Sequence, residues 1–336
     1  MKVIIPLAGL GKRMRPQTWS KPKPLLNVAG KPVLGHVLDK FTPLNPEEVI
    51  FITGWLGEQI SNYVEANYHL NSRYVEQREL KGQAHAIYLA REYLHGPCII
   101  VFVDTLFEAD LSGLANEPVD GVLYVKEVED PSRFGVVVQD GEYITRLIEK
   151  PETSEYRNVM VGLYYIREGR DLADAIEYLL AQNIQTKGEY YLADALQVMI
   201  NRGAHFITRA VGVWEDCGTP ETLLHTNRYL LEHGHAQDAP MQDSVVIQPV
   251  YIAKTAHIER SVVGPYVTVG ENAVISSVVI SDSIIDTGAH LESLILCKAL
   301  IGQNAYVGGA VGSFNIGDDV AVDMAHPRLL PKEATP

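Results

Sequence analysis

The stretch KVIIPLAGLGKRMRPQTWSKPKP, residues 2–24, joins a short apolar run to a basic loop. Its first part, KVIIPLA, is rich in Val and Ile, which is typical of a buried strand. The loop that follows carries no carboxylate, and its basic side chains are Lys12, Arg13, Arg15, Lys21 and Lys23. Because ligands of parallel sheets bind at the carboxyl ends of the strands, this stretch predicts an anion site above a parallel sheet.

Strand-like and helix-like segments alternate from this first strand up to about residue 235. EVIFITG (48–54) and CIIVFVD (98–104) are short, apolar and β-branched, so they predict two more buried strands. GEQISNYVEANY (57–68) and GQAHAIYLAREYL (82–94) predict helices between them. The alternation indicates an α/β fold with a Rossmann-like, mixed and mainly parallel sheet that has helices on both faces.

The pattern changes after about residue 245, where aliphatic residues recur every sixth position and are often followed by Gly. The hexads restart at Val269, Ile285 and Ile301, a spacing of 16 residues. That spacing is close to one coil of a three-sided parallel β-helix, and repeats of this kind bury a continuous core by stacking. This region resembles the left-handed β-helix of hexapeptide-repeat proteins.

Charge and cysteine content exclude several classes of protein. The formal net charge of -14 argues against a general nucleic-acid or anionic-membrane surface, yet the first 38 residues hold seven Lys or Arg and no acid. No apolar run approaches the length of a membrane span. Three scattered cysteines, Cys98, Cys217 and Cys297, form no disulfide framework, so we expect a cytoplasmic protein. A local cationic site in an acidic chain suits a small anionic ligand.

The basic loop lacks both common phosphate motifs. Met14 stands where the dinucleotide fingerprint needs its third glycine, and no G-x-x-x-x-G-K-[ST] sequence is present. The loop still has the chemistry of an anion site, since Gly9 and Gly11 permit close backbone approach to phosphate oxygens. Arg13 offers a planar fork that matches phosphate, and Lys23 supplies a compact charge.

The stretch LAGLGKRMRPQTWSKPKPLLNVAGKP closely resembles the signature of sugar-1-phosphate nucleotidylyltransferases, L-A-G-G-x-G-[ST]-R-[LM]-x-P-x-T followed by P-K-x-L-x-P-V. Further family segments follow in order: VDTLF, FGVVVQDG, LIEKP, VGLYYI and WEDCGTPE. The resemblance covers residues 1 to about 233. We therefore predict a nucleotidyltransferase domain at 1–235, a linker at 236–244, a β-helix at 245–325 and a tail at 326–336.

Two positions depart from the family signature. Leu10 replaces its second glycine, and Lys12 replaces its Ser or Thr. The first change affects the backbone geometry of the loop, whereas the second adds charge where anion binding is expected.

The resemblance implies roles for the phosphate and metal contacts. Arg13 would stabilise the leaving pyrophosphate, and Lys23 would contact the α-phosphate and the sugar phosphate. Asp104 and Asp216 would each ligate Mg²⁺, the implied cofactor. The nucleotide-binding positions of the loop would be Leu7, Ala8, Gly9, Gly11 and Lys12.

The resemblance also implies a base site and a sugar-phosphate site. Gln77 would bond the base through its amide, which can both donate and accept, and Gly82 would offer its backbone to the same edge. Sugar-phosphate contacts would come from Gly135, Glu149, Lys150 and Gly162.

The resemblance implies transfer of a nucleotidyl group from dTTP or UTP to glucose-1-phosphate, since the chain is most similar to glucose-1-phosphate thymidylyltransferases that carry a β-helical tail. A UDP-N-acetylglucosamine pyrophosphorylase and a mannose-1-phosphate guanylyltransferase are competing hypotheses within the class. A tail with acetyltransferase activity and a non-catalytic sensor of nucleotide-sugars are competing hypotheses from outside it. The flat repetitive faces of the predicted β-helix favour a homo-oligomer. No nucleic-acid or membrane partner is expected.

Overall fold

The computed structural model describes residues 1–239, 241, 243–309, 311–312 and 314–323. It divides into two compact units. The first unit comprises Met1–Leu10 and Val37–Trp214, and the second comprises Gly11–His36 and the described residues from Glu215 onward. The tail at 326–336 lies outside the described residues, and the domain bounds stay predictions.

The strands in chain order are β1 Lys2–Pro6, β2 Asn27–Val28, β3 Lys31–Pro32, β4 Glu48–Thr53, β5 Ser72–Glu76, β6 Cys98–Val101, β7 Thr105–Glu108, β8 Gly121–Glu127, β9 Gly135–Asp140, β10 Tyr143–Glu149, β11 Asn158–Ile166, β12 Phe206–Ala210, β13 Val213–Asp216, β14 Val245–Val246, β15 Val250–Ile252, β16 His257–Glu259, β17 Val262–Val263, β18 Val267–Val269, β19 Val274–Ser276, β20 Val279–Ser281, β21 Ser283–Ile285, β22 His290–Glu292, β23 Ile295–Cys297, β24 Leu300–Ile301, β25 Tyr306–Gly308, β26 Val311–Gly312, β27 Asn315–Ile316 and β28 Ala321–Asp323.

The α-helices are α1 Val33–Phe41, α2 Gly57–Asn67, α3 Gln83–Leu89, α4 Gly169–Ala181, α5 Leu192–Asn201 and α6 Pro220–Leu230. Single turns of 3-10 helix occupy Lys12–Met14, Lys23–Leu25, Thr42–Leu44, Arg91–Tyr93 and Leu114–Asn116, and a π-turn occupies Leu231–His235. The helix predicted at 82–94 is shorter than expected, because α3 ends at Leu89 and the remainder forms a 3-10 turn.

The described part of the first unit is built on a nine-stranded mixed sheet in the order β10-β9-β11-β6-β1-β4-β5, with β8 joined to β11 and β12 joined to β8. Strands β1, β4, β5 and β6 are parallel, whereas β11 runs antiparallel to β6, β8 and β9. The apolar runs predicted as strands are β1, β4 and β6, which are buried along nearly their whole length. Helices α3, α4 and α5 contribute to the same core. This is the predicted fold class.

The second unit contains the predicted β-helix. Its described strands form three parallel sheets, which we call the first face (β14, β17, β20, β23, β26), the second face (β15, β18, β21, β24, β27) and the third face (β16, β19, β22, β25, β28). Val269 pairs with Ile285, and Ile285 pairs with Ile301, so the 16-residue coil spacing is confirmed. The inward aliphatic residues form one stacked core.

The two faces of the β-helix that carry apolar outward residues differ in burial. On the second face Ile284 and Leu300 are buried. On the first face Val279 is 46% and Ile295 is 51% exposed. The hexad repeat predicts both of these parallel sheets. It does not predict which of the two is covered by the rest of the second unit.

Candidate functional site

The first part of the basic loop lies at the carboxyl end of β1, as predicted. Leu7 and Ala8 are buried, and the Leu7 amide donates to the carbonyl of Ile52 at 2.7 Å. A Cβ placed on Gly54, just after β4, would lie 2.7 Å from the Ala8 oxygen. Gly9 is exposed, and no atom lies within 4 Å of a Cβ placed there. The loop is therefore packed up to Ala8 and open at Gly9.

The second part of the loop brings Gly11 and Lys23 together within the second unit. Gly11 has φ +60°, and a Cβ there would lie 3.1 Å from the Lys23 Cβ. The Thr18 hydroxyl donates to the Gly11 carbonyl at 2.9 Å, which closes the loop. Lys12 and Arg13 follow on a 3-10 turn and are exposed. These two cations and Lys23 are the basic groups that the prediction assigns to phosphate.

Two other basic residues of the loop interact within the protein. Lys21 forms an ion pair with Asp286 of the β-helix, and both side chains are largely buried. The Arg15 guanidinium lies 3.7 Å from the centroid of the Trp19 ring. The sequence placed all five cations in one basic loop but assigned only Lys12, Arg13 and Lys23 to the ligand, and Lys21 has a carboxylate of its own.

The two aspartates predicted to ligate Mg²⁺ lie in different units. Asp104 is a partly buried turn residue between β6 and β7. Asp216 ends β13, and its Oδ1 accepts from the Gly218 amide at 2.7 Å. The Thr226 hydroxyl donates to the Asp216 carbonyl at 2.9 Å, which fixes this strand end to α6. Each offers the hard carboxylate oxygens that Mg²⁺ prefers, so the donor chemistry fits.

The described residues contain no group of three or more His, Cys, Asp or Glu placed to hold a metal by themselves. A Mg²⁺ ion bound by one or two carboxylates, substrate phosphates and water does not require such a group.

The predicted base-site residues lie together in the first unit. Gln77 is buried after β5, its backbone amide donates to the Thr53 carbonyl at 2.7 Å, and its Nε2 lies 3.2 Å from His85 Nδ1. Burial lowers the pKa of His85, so its ring is neutral near pH 7 and accepts this bond. Gly82 has φ +110°, and a Cβ there would lie 2.5 Å from the Tyr190 oxygen. Only glycine suits that backbone.

Gly135 and Glu149, two of the predicted sugar-site residues, face each other across the β9–β10 pair. A Cβ on Gly135 would lie 2.9 Å from Oε2 of Glu149. Burial raises the pKa of Glu149, against the opposing effect of the Lys150 charge. The same Cβ would lie 2.3 Å from Cε of Met160, so a side chain at Gly135 does not fit beside this poorly solvated carboxylate.

Lys150, the residue after β10, is held by an aromatic hydroxyl. Its Nζ donates to the Tyr191 hydroxyl at 2.8 Å, and this bond raises the pKa of the lysine. Gly162 lies in β11, where the Phe102 amide donates to its carbonyl at 2.9 Å. A Cβ on Gly162 would lie 3.3 Å from the Phe102 Cβ, so Phe102 leaves little room for a side chain at this position.

Sequence reasoning missed the dipeptide Tyr190–Tyr191. The Tyr190 carbonyl accepts from the Ala84 amide at 2.9 Å, and the Tyr190 amide donates to the Lys81 carbonyl at 2.9 Å, so Tyr190 supports the Gly82 turn. Tyr191 supports Lys150. The paired aromatics in GEYYLAD, just before α5, were the available signal, but no motif connected them with a site.

Family comparison matches residues 2–233 to the nucleotidyl transferase family and residues 232–291 to a GlmU-like C-terminal hexapeptide family. The chain belongs to the nucleotidyl transferase family. The resemblance drawn from the motifs is thereby confirmed.

Curated relatives differ in name and in coverage. The chain is 32% identical over 250 residues to "Bifunctional protein GlmU" of Methanocaldococcus jannaschii, which covers 74% of this chain and 59% of that protein. It thus spans about three fifths of the length of this relative. It is 31% identical to the UTP–glucose-1-phosphate uridylyltransferase AglF of Haloferax volcanii, over 66% of this chain and 93% of that protein. A glucose-1-phosphate thymidylyltransferase of Streptomyces antibioticus matches at 26% identity over 96% of this chain and 99% of its own length.

Among solved structures, a UDP-glucose pyrophosphorylase complexed with UDP-glucose matches with a TM-score of 0.61 at 20% identity, over 69% of this chain and 98% of that one. This likeness supports the fold of the nucleotidyltransferase region. None of the helices in the described part of the chain is long and apolar enough to cross a membrane.

Proposed function

We propose that this chain transfers a nucleotidyl group from a nucleoside triphosphate, dTTP or UTP, to glucose-1-phosphate. The products are a nucleoside-diphosphate glucose and pyrophosphate. An oxygen of the sugar phosphate forms a bond to the α-phosphorus, and the bond from that phosphorus to the β-phosphate oxygen breaks in line with it.

One observation carries this proposal: the Tyr190–Tyr191 dipeptide links the predicted base site to the predicted sugar-phosphate site. Tyr190 supports the turn at Gly82, and Tyr191 holds the ammonium of Lys150. Neighbouring residues therefore support a base-contacting position and a phosphate-contacting position in one unit, Tyr190 through its backbone and Tyr191 through its hydroxyl. An enzyme that joins a nucleotide to a sugar phosphate needs both.

The chemistry requires positive charge rather than a general base, because the attacking phosphate oxygen is already ionised at pH 7. Lys23 contacts the α-phosphate and sugar phosphate, and Arg13 stabilises the pyrophosphate as it leaves. Asp104 and Asp216 would be the carboxylates that hold Mg²⁺, and the ion would supply charge neutralisation at the phosphates. Glu149 accepts hydrogen bonds from sugar hydroxyls, and Gln77 pairs with the base.

We favour glucose-1-phosphate as the sugar substrate because AglF and the Streptomyces relative both carry that compound in their names. Their names differ in the nucleotide, so dTTP and UTP both remain in the proposal. A site that bonds the polar groups of one base or sugar rejects analogues that leave those groups unpaired.

The test is pyrophosphate release from every pair of dTTP, UTP, GTP, ATP or CTP with glucose-, N-acetylglucosamine- or mannose-1-phosphate. We expect release to require both substrates and Mg²⁺, to be greatest with glucose-1-phosphate, and to fall sharply in Asp104→Asn. Release with N-acetylglucosamine-1-phosphate or with GTP and mannose-1-phosphate would favour the competing transferase activities. A folded protein that releases none from any pair would favour a non-catalytic sensor instead.

We also propose that the chain self-associates through the first face of the β-helix. Its outward residues Val245, Val279 and Ile295 are each about half exposed. The described strands β14, β17, β20 and β23 carry no carboxylate or basic side chain. Two copies with a net charge of -14 repel each other, and an uncharged apolar face is where that repulsion is weakest. A second copy of this chain is therefore the occupant.

Sedimentation velocity at micromolar concentration tests the self-association. The wild-type protein should sediment as an oligomer, and Val279→Glu should sediment as a monomer. Val274→Glu places the same charge on the third face and should remain oligomeric. A monomeric wild-type protein, or equal behaviour of the two variants, would contradict the proposal.

A cytoplasmic location stays a prediction.

A further inference from the structure

We propose that the β-helix holds the basic loop in its working shape, with Asp286 and Gln17 as positioning residues for Lys23 and Arg13. The inference rests on the proposed function of the loop. It gives the β-helix a role in nucleotidyl transfer besides assembly. All the contacts involved lie within the second unit.

The segment Gly11–His36 has little regular structure of its own. It contains two single-turn 3-10 helices, the two-residue strands β2 and β3, and the start of α1. An isolated hairpin is marginal in water, and a pair of two-residue strands is weaker still. A segment of this kind keeps one shape only where its side chains and backbone are bonded to something rigid.

Asp286 is the strongest attachment of the segment. This β-helix carboxylate is 7% exposed, and its Oδ1 accepts from Asn27 Nδ2 at 2.7 Å and from the Thr287 amide at 2.8 Å. Its Oδ2 pairs with Lys21. A buried carboxylate with this many donors is well satisfied, and removing its charge leaves a buried ammonium without its counter-ion. Lys21 and Asn27 lie on either side of Lys23 in the sequence, so Asp286 fixes both flanks of that residue.

Gln17 is a second attachment, four residues after Arg13. It is buried, and its Nε2 lies 3.2 Å from the Leu300 carbonyl and 3.0 Å from Asn315 Oδ1. The Ile316 carbonyl is within hydrogen-bond distance of the same nitrogen. These acceptors belong to the second face of the β-helix.

The far end of the segment is attached as well. A Cβ on Gly30, which has φ +82°, would lie 2.1 Å from Cζ of Tyr251, so the backbone rests directly on this ring of the second face. The Ala29 amide donates to Asn227 Oδ1 at 2.9 Å, and that oxygen also accepts from the Thr268 hydroxyl at 2.6 Å. Asn227 is fully buried in α6 and connects the segment with the β-helix.

These attachments lie close in the sequence to the two cations proposed as catalytic. Lys23 lies between Lys21 and Asn27, and Arg13 lies before Gln17. A displacement of about 1 Å in a group that stabilises a transition state costs on the order of 10²-fold in rate. The carboxylate of Asp286 therefore acts through geometry. We expect removal of this carboxylate to lower kcat/KM more than it changes the overall fold.

The test compares Asp286→Asn with Asp282→Asn in the full-length protein. Asp282 is a matched control because it is also a buried β-helix carboxylate paired with one basic residue, Arg228 of α6, which lies outside the segment. Two quantities are measured: amide hydrogen exchange of residues 11–36, and kcat and KM for each substrate.

We expect Asp286→Asn to lose protection across residues 11–36 and to lose about 10- to 100-fold in kcat/KM. Asp282→Asn should keep protection across residues 11–27 and lose much less activity than Asp286→Asn, because α6 contacts the segment at Ala29, beyond Lys23. If Asp286→Asn does not fold, Asn27→Ala, which removes one donor to the same carboxylate, should show the same loss of protection in smaller degree.

Unchanged exchange of residues 11–36 in Asp286→Asn, or equal loss of activity in the two aspartate variants, would overturn the inference. A wild-type protein that releases no pyrophosphate would overturn the proposed function instead. In that case the exchange measurement still decides whether the β-helix holds the loop.

Discussion

Lys23 and Lys150, two of the lysines assigned to phosphate, are held in place in different ways. Lys150 follows β10 of the nine-stranded sheet, its amide donates to the Phe134 carbonyl at 2.9 Å, and its ammonium donates to Tyr191. Lys23 lies on a single 3-10 turn in the segment Gly11–His36. This segment is attached to the β-helix by the ion pair of Lys21 with Asp286 and by the hydrogen bonds of Gln17.

The difference teaches that a residue at a strand end inherits its position from the sheet, whereas a loop residue needs partners outside its own segment. Strand hydrogen bonds are local and numerous, so one side-chain change rarely moves a strand end. A loop held by a few buried side chains is more sensitive to each of them.

The largest effect is expected at Lys23, where charge must meet the transition state. Lys23→Ala should lower kcat by about 10²–10³, the usual cost of removing one preorganised electrostatic donor. Thermal melting should change little, because Lys23 is partly exposed. Steady-state kinetics and a melting curve check this, and a loss of kcat that merely tracks a loss of folded protein would contradict it.

Lys150→Met is the matched change on the sheet-held side. It keeps much of the aliphatic stem and removes the charge, and we expect a rise in KM for the sugar phosphate that lowers kcat/KM about 10- to 100-fold. The nucleotide KM should stay near the wild-type value. An equal rise for both substrates would remove the distinction between the two lysines.

Glu149→Gln should weaken sugar binding and stabilise the fold. Burial raises the pKa of Glu149 above its unfolded value, so its charge costs stability at neutral pH, and that cost disappears as pH falls below the ordinary value of 4.5. The variant should therefore melt higher than wild type at pH 7 and equally below pH 4.5. Its KM for glucose-1-phosphate should rise about 10-fold, as hydroxyl contacts weaken. Equal melting temperatures at pH 7 would contradict this account.

The smallest effect on rate and the clearest on stability is expected at Asn227. Asn227→Ala leaves the Ala29 amide and the Thr268 hydroxyl without their acceptor and should cost about 1–3 kcal/mol of unfolding free energy. Asn62→Ala, in an exposed turn of α2, should stay within about 0.5 kcal/mol. Urea unfolding checks both, and equal midpoints would show that Asn227 does not stabilise the contact between the segment and the β-helix.

Sequence patterns predicted the parts of the fold that repeat or are apolar along their length. Strands β1, β4 and β6 are buried on both faces, and the register that pairs Val269 with Ile285 follows from the hexad spacing. The periodicity of a sequence indicates which residues of a single element are buried. It therefore predicts well the elements that repeat or are apolar along their length.

The attachments between distant segments were beyond sequence reasoning. The sequence placed Lys21 in the basic loop without assigning it a partner. Its partner Asp286 lies 265 residues away in the chain. Tyr190 and Tyr191 were missed for the same reason, since their bonds to the Gly82 turn and to Lys150 appear only in three dimensions.

The central claim is that the nucleotidyl group, with its α-phosphorus, moves to the sugar phosphate while the outer two phosphates leave as pyrophosphate. It is tested most directly by giving the wild-type protein glucose-1-phosphate, Mg²⁺ and UTP or dTTP labelled with radioactive phosphorus at either the α or the β position. The account predicts that α-label appears in a nucleotide-sugar and β-label in pyrophosphate. Release of α-label as free nucleotide, or transfer of label without pyrophosphate, would contradict it.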